Sequence, residues 1–330
     1  MKIEGLGEFA LIERISRTLN MQPSRDIVLG IGDDTAVWQG KNEQYLATTD
    51  SLIEGVHFSP GTSTWREIGW KALAVNISDI AAMGGIPHYA LLSLGLPPDT
   101  DVENVDALCY GFNDIDAEYD VAVVGGNISS APVVMINVTL IGSAPDGILT
   151  RSAAVVGDKI AVTGCVGQSA AGLKMLTSGL IFDDETTTFL RNAHVRPLPR
   201  VAEGRILVKN GVKTAIDLSD GLLSDLTHIL KASSLAAEVC IHKLPIHTIV
   251  RGRFGDDAVR LALSGGEDYE LLFTAQEDIV EQVRNIMSTQ LTVIGEIVVG
   301  ERGSIALLDE NRKRIEFREL GWDHFDSGKR

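Results

Sequence analysis

Segments with the two-residue period of a β-strand alternate along this chain with segments whose apolar residues recur about every 3.6 residues, as in an α-helix. No internal repeat of the kind found in solenoids or propellers accompanies the alternation. The pattern predicts a mixed α/β or α+β protein. A chain of 330 residues, 45% of them hydrophobic, is long and apolar enough for two domains with separate cores.

The clearest predicted helix lies within residues 64–85. Thr64 and Glu67 match a capping box, and a glycine pair provides the stop signal. Asn76 and Asp79 are three residues apart on this helix and therefore share a face. Asp79 lies near the C-terminal end, where the helix macrodipole disfavours a negative charge. A nearby cation would remove that conflict.

A turn-rich stretch, Ala144-Pro145-Asp146-Gly147, precedes a new strand that begins at Lys159. We therefore predict a domain boundary near residue 147, between an N-terminal domain of residues 1–147 and a C-terminal domain of residues 148–330. The other predicted elements include helices over 8–19, 101–119, 168–178 and 222–233, and strands over 35–39, 45–49, 121–124, 133–141, 159–162, 214–216 and 269–274.

Aspartates recur at the ends of these elements, and nearly all of them lie beside glycine, serine or threonine. The set is Asp33, Asp34, Asp50, Asp79, Asp217 and Asp220. A single aspartate in such a place is commonly a turn residue or a helix cap, and Asp220 before Gly221 fits that description. The recurrence of one context favours a shared site for a hard divalent cation, Mg²⁺ or Mn²⁺.

The overall charge excludes several classes of partner. With 45 acidic against 29 basic residues, the net charge of −16 disfavours nucleic acid and anionic membrane surfaces. No apolar stretch approaches the roughly 20 residues of a membrane helix. The N-terminus lacks the basic start and apolar core of a signal peptide, so we expect a cytoplasmic protein.

Familiar catalytic motifs are incomplete or missing. Gly30-Ile31-Gly32 is only part of a dinucleotide-binding motif, because Thr35 holds the position of its last glycine. The sequence has no P-loop, no kinase catalytic loop and no hydrolase elbow, which disfavours the standard kinases and hydrolases. Arg151, Arg196 and Arg200 are candidate anion contacts, although arginines are more often solvated surface residues.

Five segments together resemble the thiamine-monophosphate kinase family: Gly30–Asp34, Thr48–Asp50, Lys71–Asp79, Ile216–Gly221 and Leu263–Leu271. They follow the family's order and, with the terminal Gly321–Phe325, extend over almost the whole chain. The wider superfamily includes aminoimidazole ribonucleotide synthetase and selenophosphate synthetase. The resemblance implies an N-terminal α/β domain whose strands help to form a barrel across a dimer interface. It also implies a C-terminal α/β/α domain and a homodimer.

The resemblance further implies an activity. It is the direct, in-line transfer of the γ-phosphate of ATP to thiamine phosphate, with several Mg²⁺ ions, giving thiamine diphosphate and ADP. No catalytic base is nominated, because a phosphate with a second pKa near 6 is largely ionised at neutral pH.

Site residues follow by position in the family's motifs. The implied Mg²⁺ ligands are Asp34, Thr48, Thr49, Asp50, Asp79, Asn127, Asp217 and Asp220, with Asp33 as a neighbour of undetermined role. The implied ATP contacts are Gly126, Asn127, Arg151 and Ser219, and the implied thiamine phosphate contacts are His57, Glu267 and Trp322. An indole over a flat cationic ring is a favourable stacking arrangement.

Three positions depart from the family's pattern. Asn127 stands where many members have aspartate, so the amide oxygen can coordinate Mg²⁺ but adds no negative charge. Ser130 stands where an arginine often follows, which would leave more of the phosphate contact to Arg151. Thr48 in place of serine keeps the hydroxyl.

Several alternatives stay open from the residues alone. Another superfamily enzyme, an ATP-dependent synthetase or a carbamoyl-dehydrating maturation factor, is the nearest, although selenophosphate synthetase is disfavoured because no cysteine precedes Cys109. A non-catalytic cation- or nucleotide-binding module would use the aspartates only to hold the fold together. A metal-dependent phosphohydrolase would release free phosphate.

Overall fold

The computed structural model describes residues 12, 26–41 and 43–317. Most of the predicted helix over 8–19, and the terminal motif that contains Trp322, lie outside the described residues. In the part of the chain that is described, no helix is both long and apolar enough to cross a membrane.

The N-terminal half is built on a six-stranded sheet in the order β1-β2-β3-β6-β4-β5. Neighbouring strands are antiparallel except β4 and β5, which are parallel and joined by helix α2. Helix α1 packs on the sheet and on α2, and apolar side chains fill the space between these layers. The elements are β1 (Ile27–Leu29), β2 (Ala36–Gln39), β3 (Gln44–Ile53), α1 (Trp65–Ala82), β4 (Ile86–Leu96), α2 (Val102–Tyr119), β5 (Ala122–Ser130) and β6 (Met135–Ala144).

Helix α1 begins and ends as its sequence predicts. The Thr64 side chain accepts a hydrogen bond from the Glu67 backbone N–H, and the Glu67 carboxylate accepts one from the Thr64 N–H at 2.7 Å, which completes the capping box. After the helix, Gly84 takes a φ of +71°, a conformation that favours glycine. Most of the 18 residues of α1 are buried, as expected for a helix enclosed on nearly all sides. This enclosure places α1 between the two halves of the molecule.

The C-terminal half is built on a seven-stranded sheet in the order β13-β12-β9-β11-β7-β10-β8, antiparallel except for the β12–β9 pair. Its strands are β7 (Lys159–Thr163), β8 (Thr214–Asp217), β9 (Ala236–Cys240), β10 (Leu271–Ala275), β11 (Leu291–Val298), β12 (Ile305–Leu308) and β13 (Arg314–Ile315). Its helices are α3 (Gln168–Ser178), α4 (Asp184–Val195), α5 (Val201–Lys209), α6 (Leu222–Ser233), α7 (Thr248–Phe254), α8 (Asp257–Ser264) and α9 (Glu277–Ile286).

Alternate residues of the central C-terminal strands enter two separate cores. In β10, Leu272 packs with α3, α4 and α6, whereas Leu271 and Phe273 pack with α5 and α9. Because successive side chains of a strand point to opposite faces, the sheet carries helices on both sides. The predicted mixed fold with a C-terminal α/β/α arrangement is thereby confirmed.

The connection between the halves runs from Ala144 to Lys159 and contains the boundary predicted near residue 147. The halves pack closely, because α5 lies against α1 at Gly204. A Cβ atom at Gly204 would lie 2.0 Å from the Ala81 carbonyl oxygen, so only glycine allows this approach. The division into domains of residues 1–147 and 148–330 stays a prediction.

The structure corrects the end of the strand predicted over residues 121–124. The sequence predicts that this strand ends at Gly125-Gly126, but β5 continues through both glycines to Ser130. A Cβ atom at Gly126 would lie 1.8 Å from the Leu92 carbonyl oxygen of β4. Gly126 therefore permits a close approach between neighbouring strands and does not form a turn.

Candidate active site between the two halves

Three of the predicted aspartates meet between the two halves of the molecule. Asp34 precedes β2, Asp79 lies in the last turn of α1, and Asp217 ends β8. One carboxylate oxygen from each lies within 4.8 Å of the other two. Three elements that are far apart in the sequence thus form one group, which we call the carboxylate cluster.

The carboxylate cluster concentrates negative charge in a buried place. Burial, then repulsion from Asp50, Asp217 and Asp34, raises the pKa of Asp79 well above its usual range. Burial and the neighbouring Asp34 raise the pKa of Asp217 to about 7. Thr48 donates a hydrogen bond to Asp79, and Ser78 donates one to Asp217 at 2.6 Å. These hydroxyls stabilise the ionised forms only in part.

The cluster fits a divalent cation. The Asp34 Oδ2 atom is buried and has no hydrogen-bond partner among the described residues. An unpaired buried carboxylate oxygen is costly unless a cation neutralises it. Hard oxygen donors in this number are the ligands that Mg²⁺ prefers.

Arg151 is the cationic neighbour of this cluster. Its guanidinium lies 2.5 Å from Asp34 Oδ1, and its backbone N–H donates to Asp33 Oδ2 at 3.1 Å. Burial and repulsion from Asp34 raise the pKa of Asp33 to about 6. Asp33 therefore holds the start of the C-terminal half through the Arg151 backbone, while the Arg151 side chain offsets part of the charge of Asp34.

The candidate ligands of strand β3 divide between its two faces. Thr48 lies on the face of Asp79, and the Asp50 backbone N–H donates to Asn76 Oδ1 on α1 at 3.1 Å. The Thr49 hydroxyl lies on the opposite face, where it donates to the Val138 carbonyl at 2.9 Å. The Thr49 side chain is thus directed away from the carboxylate cluster.

Two candidate ATP contacts lie at the rim of the N-terminal sheet. Gly126 and Asn127 belong to β5, the edge strand, where they pair with Leu92 and Ser93 of β4. Every residue of β5 is exposed. Asn127 is therefore presented at an open edge of the sheet.

The segment after β8 contains a carboxylate that sequence reasoning missed. Asp225 is buried on α6, and its Oδ2 atom accepts hydrogen bonds from the backbone N–H groups of Asp220 and Gly221 at 3.2 and 3.1 Å. The N-cap of α6 is Gly221, without a side-chain cap, so the alternative role of Asp220 as a helix cap is not supported. Asp225 instead shapes the turn that carries Asp220.

A second charged group lies in the loop before β10. The Glu267 carboxylate contacts Lys71 Nζ at 2.7 Å and His194 Nδ1 at 3.3 Å. Burial acts to raise the pKa of Glu267, but the neighbouring Lys71 ammonium outweighs it and lowers that pKa. His57 is a further neighbour of Glu267, and its Nδ1 atom accepts a hydrogen bond from the Ile53 N–H at 3.1 Å. Sequence reasoning found Glu267 and His57 but gave no role to Lys71.

The GGED loop, residues 265–268, is tied to the segment after β8. Ser219 accepts a hydrogen bond from the Glu267 N–H at 2.8 Å through its carbonyl, and Leu218 accepts one from the Tyr269 N–H at 2.9 Å. Glu267 and Tyr269 have φ values of +67° and +50°, in the left-handed region that favours glycine. The loop thus keeps an unusual conformation that its neighbours hold in place.

Two of the candidate anion contacts have other partners. Arg200 forms a bidentate pair with the buried Glu270, at 2.6 and 2.5 Å. Arg196 lies over the Trp70 ring at 4.1 Å, and the Trp70 indole N–H donates to the Pro197 carbonyl at 2.8 Å. Arg196 therefore links the C-terminal half to α1, and Arg200 joins the α5 terminus to β10.

Two models of known family domains together match most of this chain. The model of the AIR synthase related protein N-terminal domain matches residues 32–144, and that of the C-terminal domain matches residues 155–307. The thiamine-monophosphate kinase of Escherichia coli strain K12 is 39% identical over 97% of this chain and 98% of the relative. That of Aquifex aeolicus is 35% identical over 98% of this chain and 100% of the relative.

Solved structures give the same result. The structure of AaThiL complexed with AMPPCP and TMP has a TM-score of 0.86 and 34% identity, over 98% of this chain and 99% of that one. The thiamine-monophosphate kinase of Stenotrophomonas maltophilia has a TM-score of 0.75 and 39% identity, over 92% of this chain and 96% of that one. The hydrogenase maturation protein HypE of E. coli, at 21% identity and a TM-score of 0.70, shares the fold.

Proposed function

Because this chain belongs to the thiamine-monophosphate kinase family of AIR synthase related proteins, we propose that it phosphorylates thiamine phosphate with the γ-phosphate of ATP. The products are thiamine diphosphate and ADP, and the chain is thus an ATP-dependent phosphotransferase. The observation that carries the proposal is the carboxylate cluster of Asp34, Asp79 and Asp217 in the cleft between the halves. The related structure complexed with AMPPCP and TMP supports the same pair of substrates.

Mg²⁺ is the proposed cofactor. Asp34, Asp79 and Asp217 would hold it, with further ligands from Thr48, Asp50 and Asp220. The structure does not bring the two other implied ligands to the cluster, because the Thr49 hydroxyl has its own partner on the other face of β3 and Asn127 lies on the edge strand β5. When bound, the ions would neutralise phosphate oxygens whose mutual repulsion at 4 Å is about 4 kcal/mol per pair of unit charges at an effective dielectric of 20.

The chain's own residues align the two substrates. Gly126, Asn127 and Ser219 are the proposed ATP contacts with Arg151, whose guanidinium already lies beside Asp34 at 2.5 Å. Since Arg151 carries a fixed positive charge, it can bind a phosphate oxygen of ATP next to the cluster. The acceptor phosphate is largely ionised at neutral pH, so alignment and charge neutralisation supply the catalysis.

The proposed thiamine phosphate contacts are His57, Glu267 and Trp322. Glu267 and His57 are neighbours between the halves, and Trp322 belongs to the terminal motif outside the described residues. The ionised Glu267 carboxylate suits the cationic thiazolium ring or the aminopyrimidine of this substrate.

A homodimer is part of the proposal. Among the described residues β5 is an edge strand with no partner on its outer side, and it exposes Val124 (57%) and Ile128 (71%), while Tyr89 on β4 is 55% exposed. Unpaired edges and contiguous apolar surface are features that a second copy would cover. Light scattering of the purified protein tests this, and a monomer at micromolar concentration would contradict it. The cytoplasmic location stays a prediction.

Incubation with MgATP and thiamine phosphate, followed by chromatographic separation of the products, tests the reaction. Equal amounts of thiamine diphosphate and ADP are expected. ADP and free phosphate without thiamine diphosphate would indicate a phosphohydrolase, and intact ATP with bound nucleotide would indicate a binding module.

A further inference from the structure

A buried lysine, Lys71, lies between the two halves and is not among the proposed ligands or substrate contacts. Lys71 is 4% exposed on α1, where a charged side chain is costly unless it is paired. Its Nζ atom lies 2.7 Å from Glu267 Oε1, across the boundary between the two halves. The ammonium therefore has a partner, and that partner is a proposed substrate contact.

The other oxygen of the same carboxylate has a partner of its own. His194 Nδ1 lies 3.3 Å from Glu267 Oε2 and 3.1 Å from the Ser169 hydroxyl. Lys71 comes from α1 and His194 from α4, so the two oxygens are held from different directions. A carboxylate fixed at both oxygens keeps one orientation, although its side chain is still 26% exposed to the cleft.

The histidine contributes geometry and not charge. Burial, then the nearby Lys71, lowers the pKa of His194 to about 4, so the ring is neutral near pH 7. Because Nδ1 lies near both the Ser169 hydroxyl and the Glu267 carboxylate, the neutral ring gives Glu267 a polar neighbour without adding a charge. Lys71 is therefore the cation that balances Glu267 among the described residues, and His57 and Tyr269 are further titratable neighbours.

We propose that Lys71 is a positioning residue for the substrate site, and that its ion pair fixes the Glu267 carboxylate in the orientation that binds the thiazolium or aminopyrimidine ring of thiamine phosphate. The inference rests on the proposed function, in which Glu267 touches that substrate. Lys71 itself acts through Glu267. The left-handed backbone at Glu267 is consistent with this, because the ion pair helps to hold a conformation that the loop would not favour alone.

Steady-state kinetics of Lys71→Met test the proposal. Because this variant removes the charged partner that fixes Glu267, we expect the KM for thiamine phosphate to rise about tenfold or more. The KM for ATP should stay unchanged, and Lys71→Arg should restore part of the loss because it keeps the charge. Equal increases in both KM values would overturn the proposal.

Glu67→Gln is the matched control. Glu67 on the same helix also forms an ion pair with the C-terminal half, to Arg191 at 2.5 Å, and glutamine keeps the capping box. This variant should leave both KM values unchanged. If it raises the KM for thiamine phosphate as much as Lys71→Met does, the effect belongs to bridging of the halves, and the positioning role is wrong.

A double-variant cycle separates the inference from the proposed function. If Lys71 acts through Glu267, adding Lys71→Met to Glu267→Gln should raise the KM for thiamine phosphate little further. If the two residues act independently, their separate increases in KM should multiply. If Lys71→Met does not fold, the same kinetics are measured on Lys71→Arg. A rise only in the KM for thiamine phosphate would support the proposal, and an equal change in the KM values for thiamine phosphate and ATP would contradict it. A wild-type protein that makes no thiamine diphosphate would refute the proposed function. An active wild type with a normal Lys71→Met variant would refute only the role of Lys71.

Discussion

The two charged groups in the cleft are built on opposite principles. The carboxylate cluster joins like charges, with Asp34 Oδ2 lacking a partner among the described residues. The Glu267 group joins opposite charges, and both of its carboxylate oxygens are occupied. An unbalanced group requires a cation from outside, whereas a balanced group is already oriented for a substrate.

One helix presents both groups. Lys71 and Asp79 lie eight residues apart on α1, which at 1.5 Å per residue separates their Cα atoms by roughly 12 Å. The capping box at one end and Gly84 at the other fix where this helix begins and ends. The distance between the proposed metal site and the proposed substrate carboxylate is therefore set by a rigid element.

The largest expected effect is on the carboxylate cluster. Asp79→Asn should lower kcat by about 100-fold or more at any Mg²⁺ concentration, because it removes a charge that the proposed cation needs. Its fold should persist, since the change also relieves repulsion from Asp217 and Asp34. Kinetics and circular dichroism check both points. Near-normal turnover would exclude Asp79 from the site.

The two groups should also respond oppositely to pH in metal-free protein. Asp217, with its pKa raised to about 7, keeps a proton in the folded state that the unfolded chain has lost above about pH 4. Its contribution to stability is therefore lost as the pH rises through 7. The pKa of His194 is lowered to about 4 in the folded state, so its ring stays neutral at pH values where the unfolded chain already binds a proton. The free energy of unfolding therefore falls as the pH falls below about 6.5.

Urea unfolding in EDTA between about pH 5 and pH 8 measures this difference. Asp217→Asn should reduce the loss of stability at the alkaline end, and His194→Asn should reduce it at the acidic end. Parallel profiles for the wild type and both variants would show that neither group titrates as described.

A smaller effect is expected from the packing that holds both groups in place. Gly204→Ala should destabilise the protein by about 1–3 kcal/mol, because the new methyl group would meet the Ala81 carbonyl on α1. Gly252→Ala on α7 is the control, since no atom lies within 4 Å of its Cβ position. That variant should be neutral or slightly more stable. Equal melting temperatures for the two variants would contradict the close approach of α5 to α1.

Local signals in the sequence predicted part of the fold, whereas β4, α4 and β11 were not predicted, and the strand predicted over 45–49 continues through Asp50 to Ile53. The capping box and the glycine stop define α1, and the predicted helices over 168–178 and 222–233 match α3 and α6. Where a glycine serves a long-range contact, local reasoning failed, as at Gly126 within β5. Glycine as a turn signal cannot be distinguished from glycine at a close approach without the neighbouring strand.

The candidate site was predictable only in part, for a similar reason. Aspartates at the ends of elements carry a visible pattern, and the structure brings three of them together. Sequence reasoning gave no substrate-site role to Lys71 or His194, because their partner Glu267 lies more than 70 positions away from each. Asp225 was missed because its acceptor role depends on the turn at Asp220 and Gly221.

Calorimetric titration of Mn²⁺ into the protein, in the presence of a non-hydrolysable ATP analogue, tests metal binding by the carboxylate cluster most directly. Wild-type protein should bind Mn²⁺ tightly, and Asp217→Asn should bind it at least about tenfold more weakly, with Glu67→Gln unchanged. Equal Mn²⁺ affinity in the wild type and Asp217→Asn would show that the cation is held elsewhere.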